Sequence, residues 1–272
     1  MRTFHLTYTT RGRQPLFPGE ALRRAAVRSL VRVGGGWIVL FCLVDEHAHV
    51  VVLCEPAALR RIARSLHMTL SAHASVPVLP AHVEPVDNRG HMTTLVRYAL
   101  TQVDHHALHA HPATWSGACF LDLVGARMLP GWRMNIHEAL PRFGIADAMK
   151  AVGLPGSLPE PVGDAALKEV GVHALVAAAA DAAGADPSLP GRTTEVVAAR
   201  RTAISLARSA GIGPAALAEG LALSTRGCAL LGEASASEDL VRAARVRIGI
   251  VLTLAERGVA MSQERAVVRG RR

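Results

Sequence analysis

Aromatic residues are scarce, at 4% of 272 positions, and lysine is almost missing: of 30 basic residues only Lys150 and Lys168 are lysine. With the richness in Ala and Gly, that arginine bias reads as the mark of a GC-rich genome, so arginine preference carries no functional weight by itself. The four cysteines, Cys42, Cys54, Cys119 and Cys228, show no C-x-x-C spacing. Neither a zinc ribbon nor a disulfide framework is therefore indicated. No apolar run approaches the ~18–20 residues that a membrane helix needs. The longest strand-like run is Trp37–Val44, and the opening MRTFHLTYTTRGR has no apolar signal core. A cytoplasmic location and no membrane partner are the expectations.

Half the residues are apolar, and the length is about right for two domains, each with a core of its own. Charge is unevenly spread. Residues 1–143 carry 15 basic against 9 acidic side chains, a balance of +6, whereas residues 144–190 carry 2 against 6, or −4. Residues 191–272 return to +6, with 13 against 7. Two basic blocks separated by an acidic stretch suit two surfaces for an anionic polymer.

The first block alternates strand-like and helix-like runs. Phe4–Thr10 reads as a strand ending at Arg11-Gly12, and 19–33 as a helix stopped by the glycines at 34–36. Trp37–Val44 and His47–Glu55 read as two strands joined at Asp45-Glu46. A helix from Pro56 to about His73 follows, then a Pro-broken loop with one short strand at His82–Val86, then a helix from about His91 through Val103. The expected fold is α+β: a small antiparallel sheet with packed helices over 1–145, followed by an all-α domain. The Gly- and Pro-rich stretch within 146–164 reads as a linker, 165–260 as helical, and 261–272 as a disordered basic tail.

One constellation suggests chemistry. His47 and His49 stand at i, i+2 in a strand, so their imidazoles leave the same face and can grip one divalent ion. With thirteen histidines such a pair also arises by chance, and a second, His109/His111, lies in a loop-like stretch. Only two tyrosines occur. Tyr98 falls in a helix with Gln102 four residues on, on the same face. A phenol is a poor nucleophile near neutral pH, since phenols ionise near ~10, and becomes useful where a metal shares the charge developing on a phosphate. The bland alternative is a packed Tyr ring, a solvated Gln and two surface histidines.

The order of these segments resembles the single-tyrosine HUH transposases of insertion sequences, especially the REP-associated tyrosine transposase branch. Phe4–Gly12 is similar to the family's opening strand and turn, FCLVDEHAHVVVL (Phe41–Leu53) to its HUH strand pair, Val83–Val103 to its loop and tyrosine helix, and HPATWSG (His111–Gly117) to a downstream segment. The resemblance covers about residues 4–125. It implies a ferredoxin-like core in which His47, His49 and Gln102 ligate Mg²⁺ or Mn²⁺ and Tyr98 attacks a DNA phosphodiester. The products would be a 5′-phosphotyrosine and a free 3′-hydroxyl, on single-stranded or hairpin DNA, with Arg60, Arg61 and Arg64 as backbone contacts. The chain departs from the family at Ala48, between the histidines, and at Asp45-Glu46, in place of Pro-Asn.

The second basic block has helix-turn-helix proportions, with a first helix around Pro214–Leu221 and a second starting after Ser224 as N-cap. VVAARRTAISLA (196–207) resembles the C-terminal DNA-binding domain of the replication initiator DnaA. The resemblance implies duplex binding through Arg192, Arg200 and Arg201, with base readout falling to Thr225 and Arg226. The expectation for the whole chain is a metal-dependent transposase acting in DNA recombination, as monomer or homodimer. The alternative is a catalytically inactive, domesticated DNA-binding regulator. An RNA-binding sheet is the weakest of the three readings, because no exposed aromatic pair is evident for stacking.

Overall fold

The computed structural model describes residues 1–106, 108, 110–157 and 160–259. The chain is α+β and divides into two compact units, one of Met1–Leu123 with Leu129–Ser157, the other of Val124–Met128 with Leu158–Gly258. The expected basic tail, 261–272, and His109 lie outside the described residues.

The first unit begins β-α-β-β-α-β: β1 (Arg2–Thr9), α1 (Glu20–Gly34), β2 (Ile38–Leu43), β3 (His47–Cys54), α2 (Pro56–Ser71) and β4 (His82–Val86). The strands form one sheet in the order β2-β3-β1-β4, and every pairing is antiparallel. Alternation along the strands gives that sheet two different faces. Phe4, Leu6 and Tyr8 of β1 lie opposite Val52, Val50 and Ala48 of β3, and all six are buried. The Tyr8 phenol donates to the carbonyl of Ala63 on α2 at 2.9 Å, so α2 covers this face. The other face carries His5, Thr7 and Thr9, opposite Val51, His49 and His47.

Edge strand β2 is nevertheless buried along its whole length. Its free side is closed by the segment after His111-Pro112: the Leu43 N–H donates to Gly117 O at 2.9 Å, and the Cys119 N–H to Phe41 O at 3.1 Å. The indole of Trp115 donates to Leu43 O at 2.8 Å, and the Arg23 guanidinium lies 3.7 Å over its ring. The segment His111–Gly117 therefore has a structural task, satisfying an edge that would otherwise offer unpaired backbone groups. The opposite edge, β4, is exposed and carries Pro85 and Glu84, residue types that discourage strand addition.

After the sheet come α3 (Arg89–Leu100), α4 (Gln102–His105), α5 (Phe120–Leu123), α6 (Ile136–Ala139) and α7 (Ile145–Ala151). The single helix expected to run through Val103 is broken at Thr101. There the hydroxyl and the N–H both turn back onto the Arg97 and Tyr98 carbonyls. The linker expected from 146 also starts later. Residues 145–151 are helical, begun by Asp147, whose carboxylate accepts the Gly144 N–H at 3.0 Å.

The second unit holds α8 (Asp164–Ala182), α9 (Thr194–Ser209), α10 (Pro214–Gly220), α11 (Thr225–Leu231) and α12 (Glu238–Glu256). Its core is built largely of alanine: Ala179, Ala182, Ala199, Ala203 and Ala207 are buried where α8 meets α9. Across it, Arg247 on α12 donates to Asp181 on α8 at 2.7 Å, and both residues are buried. No helix among the described residues is long and apolar enough to cross a membrane.

Two stability tests follow from this packing. A Cβ on Gly117 would collide with the Leu43 carbonyl, a backbone atom that cannot swing aside. Gly117→Ala should therefore cost about 1–3 kcal/mol in thermal or urea unfolding. Asp181→Ala leaves a buried guanidinium without its counter-charge and should cost about 3–5 kcal/mol, read as a lowered Tm of the helical unit.

Candidate active site

The side chains of interest gather on the histidine face of the sheet, beneath α3 and α4. His47 and His49 leave β3 on one face with ring centroids 4.5 Å apart. The Tyr98 ring lies 5.2 Å from that of His49 and 5.7 Å from that of His105. Gln102 is fully buried. Its amide donates to the Tyr98 carbonyl at 3.2 Å, which turns its oxygen toward His47, and the Nε2–H of His47 donates to that oxygen at 3.1 Å. The Tyr98–Gln102 pairing thus survives the helix break at Thr101, because the carboxamide itself bridges the missing turn.

The two tyrosines have opposite fates. Tyr8 is buried on the far face with its phenol on a backbone carbonyl, and burial pushes its ionisation well up. Tyr98 is 40% exposed. Only Tyr98 can meet a substrate.

His5 was not singled out in the sequence, yet it is integral to the cluster. Its Nε2 lies 2.9 Å from His49 Nδ1, its Nδ1 lies 3.7 Å from a Glu84 carboxylate oxygen, and Thr7 Oγ1 is within 3.4 Å of the His49 ring. With His5 Nδ1–H turned to Glu84, His5 Nε2 is left to accept from His49 Nδ1–H. His49 Nε2 then presents a bare lone pair. That atom is buried and has no hydrogen-bond partner among the described residues. A buried acceptor aimed into a cluster of ligand-type groups suits a cation, and carboxylate–histidine support of this kind fixes the tautomer of a ligating imidazole. Burial, with the neighbouring His47 and His5 adding to it, holds His49 down to about 3, so it is neutral under ordinary conditions, as a ligand must be.

Glu46, in the β2–β3 turn, and His106, just past α4, complete the cluster. With His47 each offers a ligand atom, and these atoms all lie within 4.8 Å of one another. The His106 ring is 4.6 Å from that of His47. Nitrogen and carboxylate donors in one place fit Mn²⁺ or a similar borderline ion at least as well as Mg²⁺. The signal for His106 was present in the His105-His106 dipeptide, but only the turn at Thr101 brings it over the sheet.

No family model, curated protein or solved structure matches the chain.

The expected DNA contacts are placed less uniformly. Arg60, Arg61 and Arg64 are exposed on α2, and Arg61 lies 5.9 Å over the Trp37 ring. Because α2 covers the Tyr8 face, these three stand on the far side of the sheet from Tyr98 and are not neighbours of the cluster. In the helical unit Arg192 is exposed, while Arg200 is spent on the carbonyls of Gly191 and Leu189 at 3.0 and 2.9 Å. Arg201 is half-buried. Ser224 accepts the Gly227 N–H at 3.0 Å and caps α11, as expected, leaving Thr225 and Arg226 exposed on its first turn.

The buried imidazoles make an acid-sensitive fold. The unfolded chain takes up a proton on His49 below pH ~6.5 while the folded protein does not, so stability falls as pH drops from there toward 3. With metal chelated, His49 should cost roughly 2 kcal/mol at pH 5, from about 1.5 pH units at ~1.36 kcal/mol each. Urea unfolding at pH 7 and pH 5 should show that loss, and His49→Gln should remove most of it.

Proposed function

We propose that the first unit is a metal-dependent domain that cleaves and rejoins single-stranded or hairpin DNA, with Tyr98 as nucleophile. One observation carries the reading: the only exposed tyrosine converges with His47, His49 and Gln102 on one face of one sheet, from chain segments some fifty residues apart. The β-α-β-β-α-β order and the sheet order β2-β3-β1-β4 support a ferredoxin-like core of the HUH kind.

In this reading the Tyr98 oxygen attacks the phosphorus of a backbone phosphodiester. A bond forms between Tyr98 and the 5′-phosphate, the bond to the 3′ oxygen breaks, and the phenolic proton ends on the departing 3′-hydroxyl. Attack by a free 3′-hydroxyl on the phosphotyrosine reverses the step and joins strands, with no outside energy source. His47, His49 and Gln102, with Glu46 and His106 beside them, would hold Mg²⁺ or Mn²⁺, the ion taking the place of the proton that His47 Nε2 shares with the Gln102 oxygen. When bound, such an ion withdraws charge from the phosphate and from the phenolate. His5 and Glu84 keep the His49 lone pair directed into the cluster.

The helical unit is read as the DNA anchor. The α10–α11 pair, capped at Ser224 with Thr225 and Arg226 exposed, supports a helix-turn-helix that meets duplex DNA. Arg192 and Arg201 are its candidate phosphate contacts, and Arg200 acts on the loop before α9 instead.

Incubation of the full chain with a labelled single-stranded hairpin and Mn²⁺ should yield a protein–DNA adduct that survives denaturing electrophoresis. Tyr98→Phe should abolish it, and His49→Ala should reduce it at least a hundredfold. Undiminished adduct in Tyr98→Phe overturns the nucleophile assignment. Intact DNA binding with no adduct and no detectable Mn²⁺ binding would instead mark a non-catalytic regulator.

A further inference from the structure

A second cleft of the first unit lies on the flank of α3 away from the histidines. A cleft of about 440 Å³ lies between α3 and the chain from Leu140 through α7. Arg89 and Arg97 line it from α3, Arg142 and Lys150 from the opposite wall, and Phe143 and Leu140 provide apolar surface. Its one carboxylate, Asp147, already accepts the Gly144 N–H. The four cations are exposed, and none is in an ion pair or side-chain hydrogen bond with another described residue. Elsewhere in the unit buried or half-buried arginines are paired, Arg23 with Asp45 and Arg24 with Glu20. Four cations facing one engaged carboxylate form a site of strong positive potential.

The spacing speaks to the kind of anion. Arg89, Thr93 and Arg97 stand at i, i+4 and i+8, so the two guanidiniums share a helix face over about 12 Å. A single phosphate or carboxylate cannot reach both, whereas a chain of regularly spaced anions can. Apolar surface beside the charges suits a ligand that alternates charge with flat, weakly polar bodies, as a nucleic acid strand does. Arg97 directly precedes Tyr98, so the cleft's end and the candidate nucleophile lie within one turn of α3, and a strand would round the exposed side of that turn to pass from one to the other.

We infer that the cleft lined by Arg89, Arg97, Arg142 and Lys150 binds the sugar–phosphate backbone of single-stranded DNA and leads it to Tyr98. The binding stands on the cleft's own charge and shape; only the delivery to Tyr98 rests on the function proposed above. Arg60, Arg61 and Arg64 lie on α2, across the sheet from Tyr98, whereas this cleft adjoins the helix that carries it.

The test is fluorescence anisotropy of the full chain with a labelled mixed-sequence single strand, in EDTA, across 50–300 mM NaCl. Two double variants are compared with the parent: Arg97→Gln/Arg142→Gln and Arg89→Gln/Lys150→Gln. Each single-strand phosphate contact contributes about 0.7 to the slope of log affinity against log salt. Each pair should therefore flatten that slope by about 1.4 and weaken binding roughly 25-fold at 0.1 M salt. Photo-crosslinking of a 4-thiothymidine strand should also label peptides of α3 and α7, and lose that label in the variants.

An unchanged slope and crosslink in both double variants overturns the inference. Displacement of the strand by equal charge of poly-glutamate overturns it as well, since the cleft would then be an acidic-peptide site. Tyr98→Phe separates the two proposals. Groove-dependent binding without any tyrosine adduct leaves the cleft standing and removes the nuclease, whereas adduct formation that ignores the cleft variants does the reverse.

Discussion

The register between β1 and β3 is the constraint on which the first unit depends. Thr7 opposite His49 and Tyr8 opposite Ala48 sort every side chain of both strands onto one of two faces. A slip of β1 by one residue would send Phe4, Leu6 and Tyr8 toward α3 and His5 under α2, away from His49. The register is held by what it sorts: six apolar side chains disappear beneath the helices on one side, and a hydrogen-bonded set of histidines forms on the other. Core and candidate chemistry are thus two readings of a single alignment.

The polar face is costly to assemble, and its neighbours are chosen to bear that cost. Buried imidazoles lose hydration, so each needs a partner. His49 finds His5, His5 faces Glu84, and His47 meets a carboxamide that is itself anchored on α3. What remains is one buried nitrogen aimed into a cluster of further donors. An apolar core would have been simpler to make stable.

Local pattern carried much of this. The alternation in Phe4–Thr10, the all-apolar β2 and the turn at Asp45-Glu46 announced the sheet, and the H-x-H spacing with the Tyr98–Gln102 interval announced the cluster. Contributions from afar stayed hidden. His5 has no local mark, since its partner is 44 residues away, and His106 joins only because Thr101 ends a helix that periodicity would have continued. Charge was legible only as runs. The arginines of α2 form the denser run in sequence, but the sheet stands between them and Tyr98. Arg89, Arg97, Arg142 and Lys150 are scattered over sixty positions and meet only through folding.

The route of the backbone has one more consequence. Val124–Met128 belongs to the helical unit, where the Met128 N–H donates to Ala182 O at 2.8 Å, although the chain then returns to complete the first unit. The two units are consequently interleaved in sequence rather than strung end to end. A protease cut, or a cloned boundary, in the Gly- and Pro-rich stretch after α7 would carry those five residues off with the wrong half. Modular exchange of either half between proteins is therefore barred unless the excursion moves with the helices that receive it.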